Sequence, residues 1–111
     1  MNIFNGSYRV KKKSQVQESR IAKELDGRTT PGSGAFDGLK GDVKTAEFLI
    51  EAKRTDKSSI SVKKEWLEKI DKEAIDIGKK PALVIELGGM QGFTENEWVA
   101  VPMSVFKKLI G

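Results

Sequence analysis

Asp42, Glu51 and Lys53 carry side chains, at spacings, that a hydrolytic metal site can use. Two carboxylates on adjacent strands can hold a hard divalent ion such as Mg²⁺, and a cation near an attacking water can stabilise charge on a phosphate. Composition excludes most other chemistries. The 111 residues include no histidine and no cysteine. There is therefore no Cys/His zinc site, thiol nucleophile, Ser-His-Asp triad or imidazole base. Catalysis by this chain must use carboxylates, lysines, hydroxyls and hard metal ions.

The spacing has a geometric meaning. On a strand, Glu51 and Lys53 project to the same face, and a hairpin folds Asp42 back toward them. The pattern acid-x-Lys occurs twice, at Asp42-Val43-Lys44 and Glu51-Ala52-Lys53, about as often as chance predicts, so the tripeptide carries no weight. Context carries more. Glu51 and Lys53 interrupt a strand otherwise hydrophobic on both faces. Two carboxylates ~4 Å apart repel by about 4 kcal/mol at an effective dielectric near 20, a cost that a metal ion cancels. The other reading of the same residues is the solvated face of a half-exposed strand.

The elements that must position these residues follow from periodicity. Residues 1–13, ending in Val10-Lys11-Lys12-Lys13, read as a basic arm or a short edge strand. Ser14-x-x-Gln17 has the form of a capping box and opens a helix that Asp26-Gly27 stops, with Val16, Ile21, Ala22 and Leu25 as its apolar positions. Glu18 falls on or beside that stripe. Residues 31–41 hold four glycines and a proline and read as a mobile loop. Asp42 to Thr55 reads as a hairpin with Phe48 to Ala52 as second strand, Leu49, Glu51 and Lys53 on one face and Phe48, Ile50 and Ala52 on the other.

Ser59 or Ser61 caps a second helix in which Trp66, Ile70, Ala74 and Ile77 keep helical spacing, with Leu67 flanking, until Gly78 and Pro81. Ala82 to Leu87 reads as a buried strand and Trp98 to Val101 as another. Pro102 opens a final helix with Phe106, Leu109 and Ile110 inward. Trp66 and Trp98 are assigned to the core or an interface rather than to base stacking. The predicted order is α, β-hairpin, α, β, β, α, an α/β domain over residues 14–111 behind the basic arm.

Charge and hydropathy bound the partners. Twenty Lys+Arg against sixteen Asp+Glu give a net charge of +4, and the pI of 9.3 favours a polyanion only weakly. Apolar runs such as Phe48-Leu49-Ile50 are too short to cross a bilayer, and no signal-peptide core is seen, so a cytoplasmic location is expected.

Four segments in order, Ser14-Gln15-x-Gln17-Glu18-x-Arg20-x-Ala22-Lys23, Gly27-Arg28-Thr29-Thr30-Pro31-Gly32-Ser33-Gly34, Gly41-Asp42-Val43 and Leu49-Ile50-Glu51-Ala52-Lys53-Arg54-Thr55, give the chain a resemblance to a known family. It resembles the PD-(D/E)XK nuclease superfamily and, within it, the small Holliday junction resolvases of archaea and their phage-borne relatives, from about Ser14 to Val101. The resemblance implies a restriction-endonuclease-like αβββαβ core with a mixed central sheet flanked by helices. It also implies a homodimer, dependence on Mg²⁺ or Mn²⁺, and hydrolysis of DNA phosphodiesters in four-way junctions.

By the same resemblance Asp42 and Glu51 are metal-binding carboxylates, the Ala52 carbonyl is a further ligand, Lys53 orients or activates the attacking water, and Glu18 reaches the metal through water. The sequence departs from the family at Gly41, where the naming proline would stand, and in the short interval from Asp42 to Glu51. Asp37 is nearer the archaeal spacing. Asp42 is preferred because Val43 begins a strand that anchors it.

For DNA, Ser33 and Gly34, with Gly32, are expected to approach phosphate, and Arg28, Arg54, Lys57, Lys63 and Lys64 to follow the backbone. The alternatives are another nuclease role in the same superfamily, such as repair or replication nicking or flap cleavage, and a non-catalytic basic DNA-binding module.

Overall fold

Strand alternation in Phe48-Leu49-Ile50-Glu51-Ala52-Lys53 gives the central strand two different faces, and the fold places a helix against each. The structure, a computed structural model, describes residues 5–29, 42–89 and 96–111, of which residues 5–14 and 42 are described as backbone only. Its elements are α1 (Asn5–Glu24), β1 (Arg28–Thr29), β2 (Asp42–Lys44), β3 (Phe48–Thr55), α2 (Lys64–Asp76), β4 (Lys80–Leu87), β5 (Glu97–Ala100) and α3 (Met103–Ile110). The protein is α/β, with five strands in the order β1-β2-β3-β4-β5 forming one mixed sheet. β3 and β4 are parallel, joined by the α2 crossover, and the other three pairings are antiparallel.

One face carries Ile50, Ala82, Val84 and Val43, covered by Ile21 and Ala22 of α1, with Phe48 and Ala52 packed alongside. The other carries Leu49 against Ile70 and Ala74 of α2. Apolar burial on both faces is what makes the short strands stable. Arg20 adds a tie from α1 to the sheet margin, donating to both carboxylate oxygens of Glu97 on β5 at 2.8 and 2.6 Å. That hydrogen bonding, opposed by partial burial and aided by the charges of Glu97, Glu24 and Glu86, holds the guanidinium above its ordinary pKa.

Several expectations need correction. α1 begins at Asn5, not Ser14, so the basic stretch read as an arm or edge strand is the first half of a helix. Lysine and arginine are good helix formers and no proline interrupts residues 5–24. The stop at Asp26-Gly27 does occur: Asp26 adopts φ 56°, and the Gly27 N–H reaches back to the Ala22 carbonyl at 2.7 Å. A Cβ on Gly27 would lie 2.5 Å from the Lys44 carbonyl, so a side chain there would force β2 away.

α2 starts at Lys64 with Lys63 as N-cap and no side-chain cap, so neither Ser59 nor Ser61 caps it. Its hold comes from Ile70 and Ala74 on β3 and β4, while Ile77 and Leu67 are exposed. α3 is present but turned over: Val105 is its buried residue, and Phe106, Leu109 and Ile110 face outward. Trp98 is also exposed, on edge strand β5, so it is not a core residue. Among the described residues no helix is long and apolar enough to cross a membrane.

Candidate active site

The site is built on β3. Leu49, Glu51 and Lys53 share the α2 face, as the alternation requires. Glu51 is only 4% exposed, and its β4 neighbour in register is the fully buried Leu83. A buried carboxylate costs several kcal/mol unless it is paired. Glu51 meets that condition with Lys53, whose Nζ lies 3.2 Å from Oε2. The same Nζ sits 4.4 Å from the centre of the Trp66 ring in the first turn of α2, a cation–π contact.

Asp42 stands directly opposite Glu51 in the β2–β3 register. The hairpin that brings it there is short: the Thr45 N–H bonds to the Phe48 carbonyl at 2.9 Å, and Thr45 Oγ1 accepts from the Phe48 N–H at 2.9 Å. Directly opposed residues of antiparallel strands lie on one sheet face with Cβ atoms roughly 5 Å apart. By residue type, the carboxylates of Asp42 and Glu51 and a backbone carbonyl such as that of Ala52 are the oxygen donors that Mg²⁺ or Mn²⁺ prefers. Among the described residues no three acidic side chains cluster as a metal cage. Mg²⁺ is commonly held by one or two carboxylates, with waters and substrate phosphates completing its shell, so this smaller set fits the ion.

α1 approaches the same stretch of β3 from the other side. Gln17, 3% exposed, donates from Nε2 to the Lys53 carbonyl at 3.0 Å. Glu18, the next residue, is half-buried. Gln17 was read from the sequence as part of a capping box and not as a site residue, although it stands four residues before Ile21 on the buried stripe, where a polar residue is itself a signal. Trp66 was assigned to core or interface; it is half-buried, with its ring against the Lys53 ammonium, a contact the sequence reading did not foresee.

The expected DNA contacts divide. Arg54 lies on the α1 face, away from Glu51 and Lys53, engaged with Asp56 at 3.1 Å and with Glu86 at 3.7 Å. Lys57 is exposed just beyond β3, and Arg28 is exposed on β1 opposite Lys44. Lys63 and Lys64 are exposed at the start of α2, within a turn of Trp66 and so on the Lys53 side. Ser33 and Gly34, with Gly32 and the alternative acid Asp37, lie outside the described residues. Comparison with protein-family models, curated proteins and solved structures gives no match.

Proposed function

We propose that this chain is a metal-dependent endonuclease of the PD-(D/E)XK kind that hydrolyses phosphodiesters in branched DNA, four-way junctions foremost. The observation that carries the reading is the register of β2 on β3, which sets Asp42 opposite a buried Glu51 whose carboxylate is 3.2 Å from Lys53 Nζ. The element order α1-β1-β2-β3-α2-β4, with a mixed sheet between helices, supports a restriction-endonuclease-like αβββαβ core.

In this reading Asp42, Glu51 and the Ala52 carbonyl would hold Mg²⁺ or Mn²⁺, Glu18 would reach it through water, and the ion would supply Lewis acidity toward the phosphate. The chain's own residues do the rest. The Lys53 ammonium, held beside Glu51, orients the attacking water and meets the charge that builds on the phosphate oxygens. Arg28, Lys57, Lys63 and Lys64 hold the DNA backbone, and Ser33 and Gly34 approach a phosphate.

The protein acts as a homodimer. α3 turns Met103, Phe106, Leu109 and Ile110 outward, and an eight-residue helix does not hold in water on its own. Beside it runs a groove of about 400 Å³ with Leu67, Leu83 and Val101 in its lining and the acids Glu68 and Asp71 also along it. Lys107 and Lys108 complement those acids. A two-fold pairing that lays each α3 in the groove of the other copy covers both surfaces at once.

The test is a panel of labelled junction, flap, mismatch and linear duplex DNAs with Mg²⁺, wild type beside Asp42→Asn. Paired nicks across a junction are expected, with Asp42→Asn inactive in cutting but still binding. Equal cutting of linear duplex removes the junction assignment, and no cutting of any DNA by the wild type removes the nuclease reading.

A further inference from the structure

Lysine side chains are long and freely rotating, and one that must meet a reacting phosphate needs to be held in place. Lys53 is held at both ends. At the backbone, the Lys53 carbonyl, two residues along β3 from the Asp42–Glu51 pair, takes a hydrogen bond from Gln17 Nε2 at 3.0 Å. A glutamine amide with almost no solvent exposure is costly unless it is hydrogen-bonded. At the tip, the ammonium lies between Glu51 Oε2 at 3.2 Å and the Trp66 ring at 4.4 Å.

We infer that Trp66 and Gln17 are positioning residues, one from each helix, that preset Lys53 for its part in phosphodiester hydrolysis. This rests on the nuclease reading and deepens it. Glu51 serves two purposes in that reading, as ligand and as partner of Lys53, whereas Trp66 has one. The indole keeps the ammonium in place while the carboxylate is engaged elsewhere. Gln17 fixes the backbone from which the side chain springs, so that a shift of α1 moves Lys53.

The inference is tested in two ways. In metal-free, ¹³C-labelled protein, the ring current of Trp66 is expected to displace the Lys53 ε-methylene resonance upfield of those of the other lysines. Lys53→Arg assigns the signal and Trp66→Leu removes the displacement. In cleavage assays Trp66→Leu and Gln17→Leu are each expected to lower kcat about tenfold with KM for junction DNA within about twofold, while Trp66→Phe recovers most of the rate. Circular dichroism checks that each variant is folded. An undisplaced Lys53 resonance, or wild-type kcat in Trp66→Leu, overturns the inference. An inactive wild type overturns the nuclease reading, and the resonance still decides the hold on Lys53.

Discussion

Asp42 and Glu51 are register partners across the β2–β3 pair, the first on a three-residue strand and the second in the middle of an eight-residue strand buried on both faces. Like charges directly opposed on antiparallel strands are destabilising, and a divalent cation reverses the sign of the interaction. Metal should therefore stabilise the wild-type fold, by about 2.7 kcal/mol at a hundredfold excess over Kd. Thermal melts with and without Mn²⁺ measure this. Asp42→Asn and Glu51→Gln are each expected to lose most of the gain. Equal gains in wild type and Glu51→Gln would remove Glu51 from the metal site.

DNA affinity should separate the basic residues by what they touch. Lys63 and Lys64 are exposed at the start of α2, whereas Arg54 is engaged with Asp56 and Glu86. If a dimer makes six or more phosphate contacts, log K falls against log salt with a slope of about −5 or steeper. Lys63→Ala with Lys64→Ala is expected to reduce that slope by about 1 to 2 per chain. Arg54→Ala should leave the slope unchanged and lower the melting temperature instead. Salt titrations by fluorescence anisotropy decide between them.

The Arg20–Glu97 pair should matter to stability more than an ordinary surface ion pair, because it is bidentate and joins α1 to β5. Allowing for solvent at a side chain more than a third exposed, Arg20→Gln is expected to cost about 1 kcal/mol, roughly 4 °C in melting temperature. The Arg20 pKa is raised, first by its hydrogen bond to Glu97. The contribution of a raised cation is complete below its unfolded pKa and lost only as pH climbs through the folded value. That window lies above the ordinary arginine range, so the Arg20 term is constant from neutral to mildly alkaline pH. Melts of both proteins across that range should run parallel.

The α3 face gives a direct test of pairing. Sedimentation equilibrium is expected to show twice the 12.3 kDa chain mass. Phe106→Asp, at an exposed position, should give monomers with unchanged circular dichroism. Lys107→Glu with Lys108→Glu, and separately Glu68→Lys with Asp71→Lys, should each weaken the dimer at least tenfold. Mixing the two charge-reversed proteins should restore it, because each helix then meets a groove of opposite sign. A wild-type monomer, or a dimer indifferent to all these changes, rules out this surface.

Local periodicity alone led to much of the fold. Alternation along Phe48 to Lys53 settled which residues share a face, the helical spacing of Trp66, Ile70 and Ala74 located α2, and Asp26-Gly27 marked the end of α1. The hairpin that sets Asp42 against Glu51 was legible for the same reason, since both residues lie in one short stretch of chain. Arg54 was grouped with the site by adjacency in sequence, whereas the alternation that groups Glu51 with Lys53 assigns it to the α1 face, where it meets Asp56 and Glu86. The length of α1 was underestimated because a capping-box pattern at Ser14 is equally compatible with a helix interior.

What the sequence determined by itself is the order of most elements, the hairpin that folds Asp42 back toward Glu51, and the common face of Glu51 and Lys53; the register that makes Asp42 and Glu51 partners came from the structure. Only the tertiary structure decided that Gln17 reaches the Lys53 carbonyl, that Trp66 covers its ammonium, that Arg20 closes on Glu97, and that α3 turns Phe106 outward. Periodicity belongs to the local chain and records which residues point together. Which neighbour they meet depends on segments tens of residues away, whose approach is set by packing of the whole sheet and its helices.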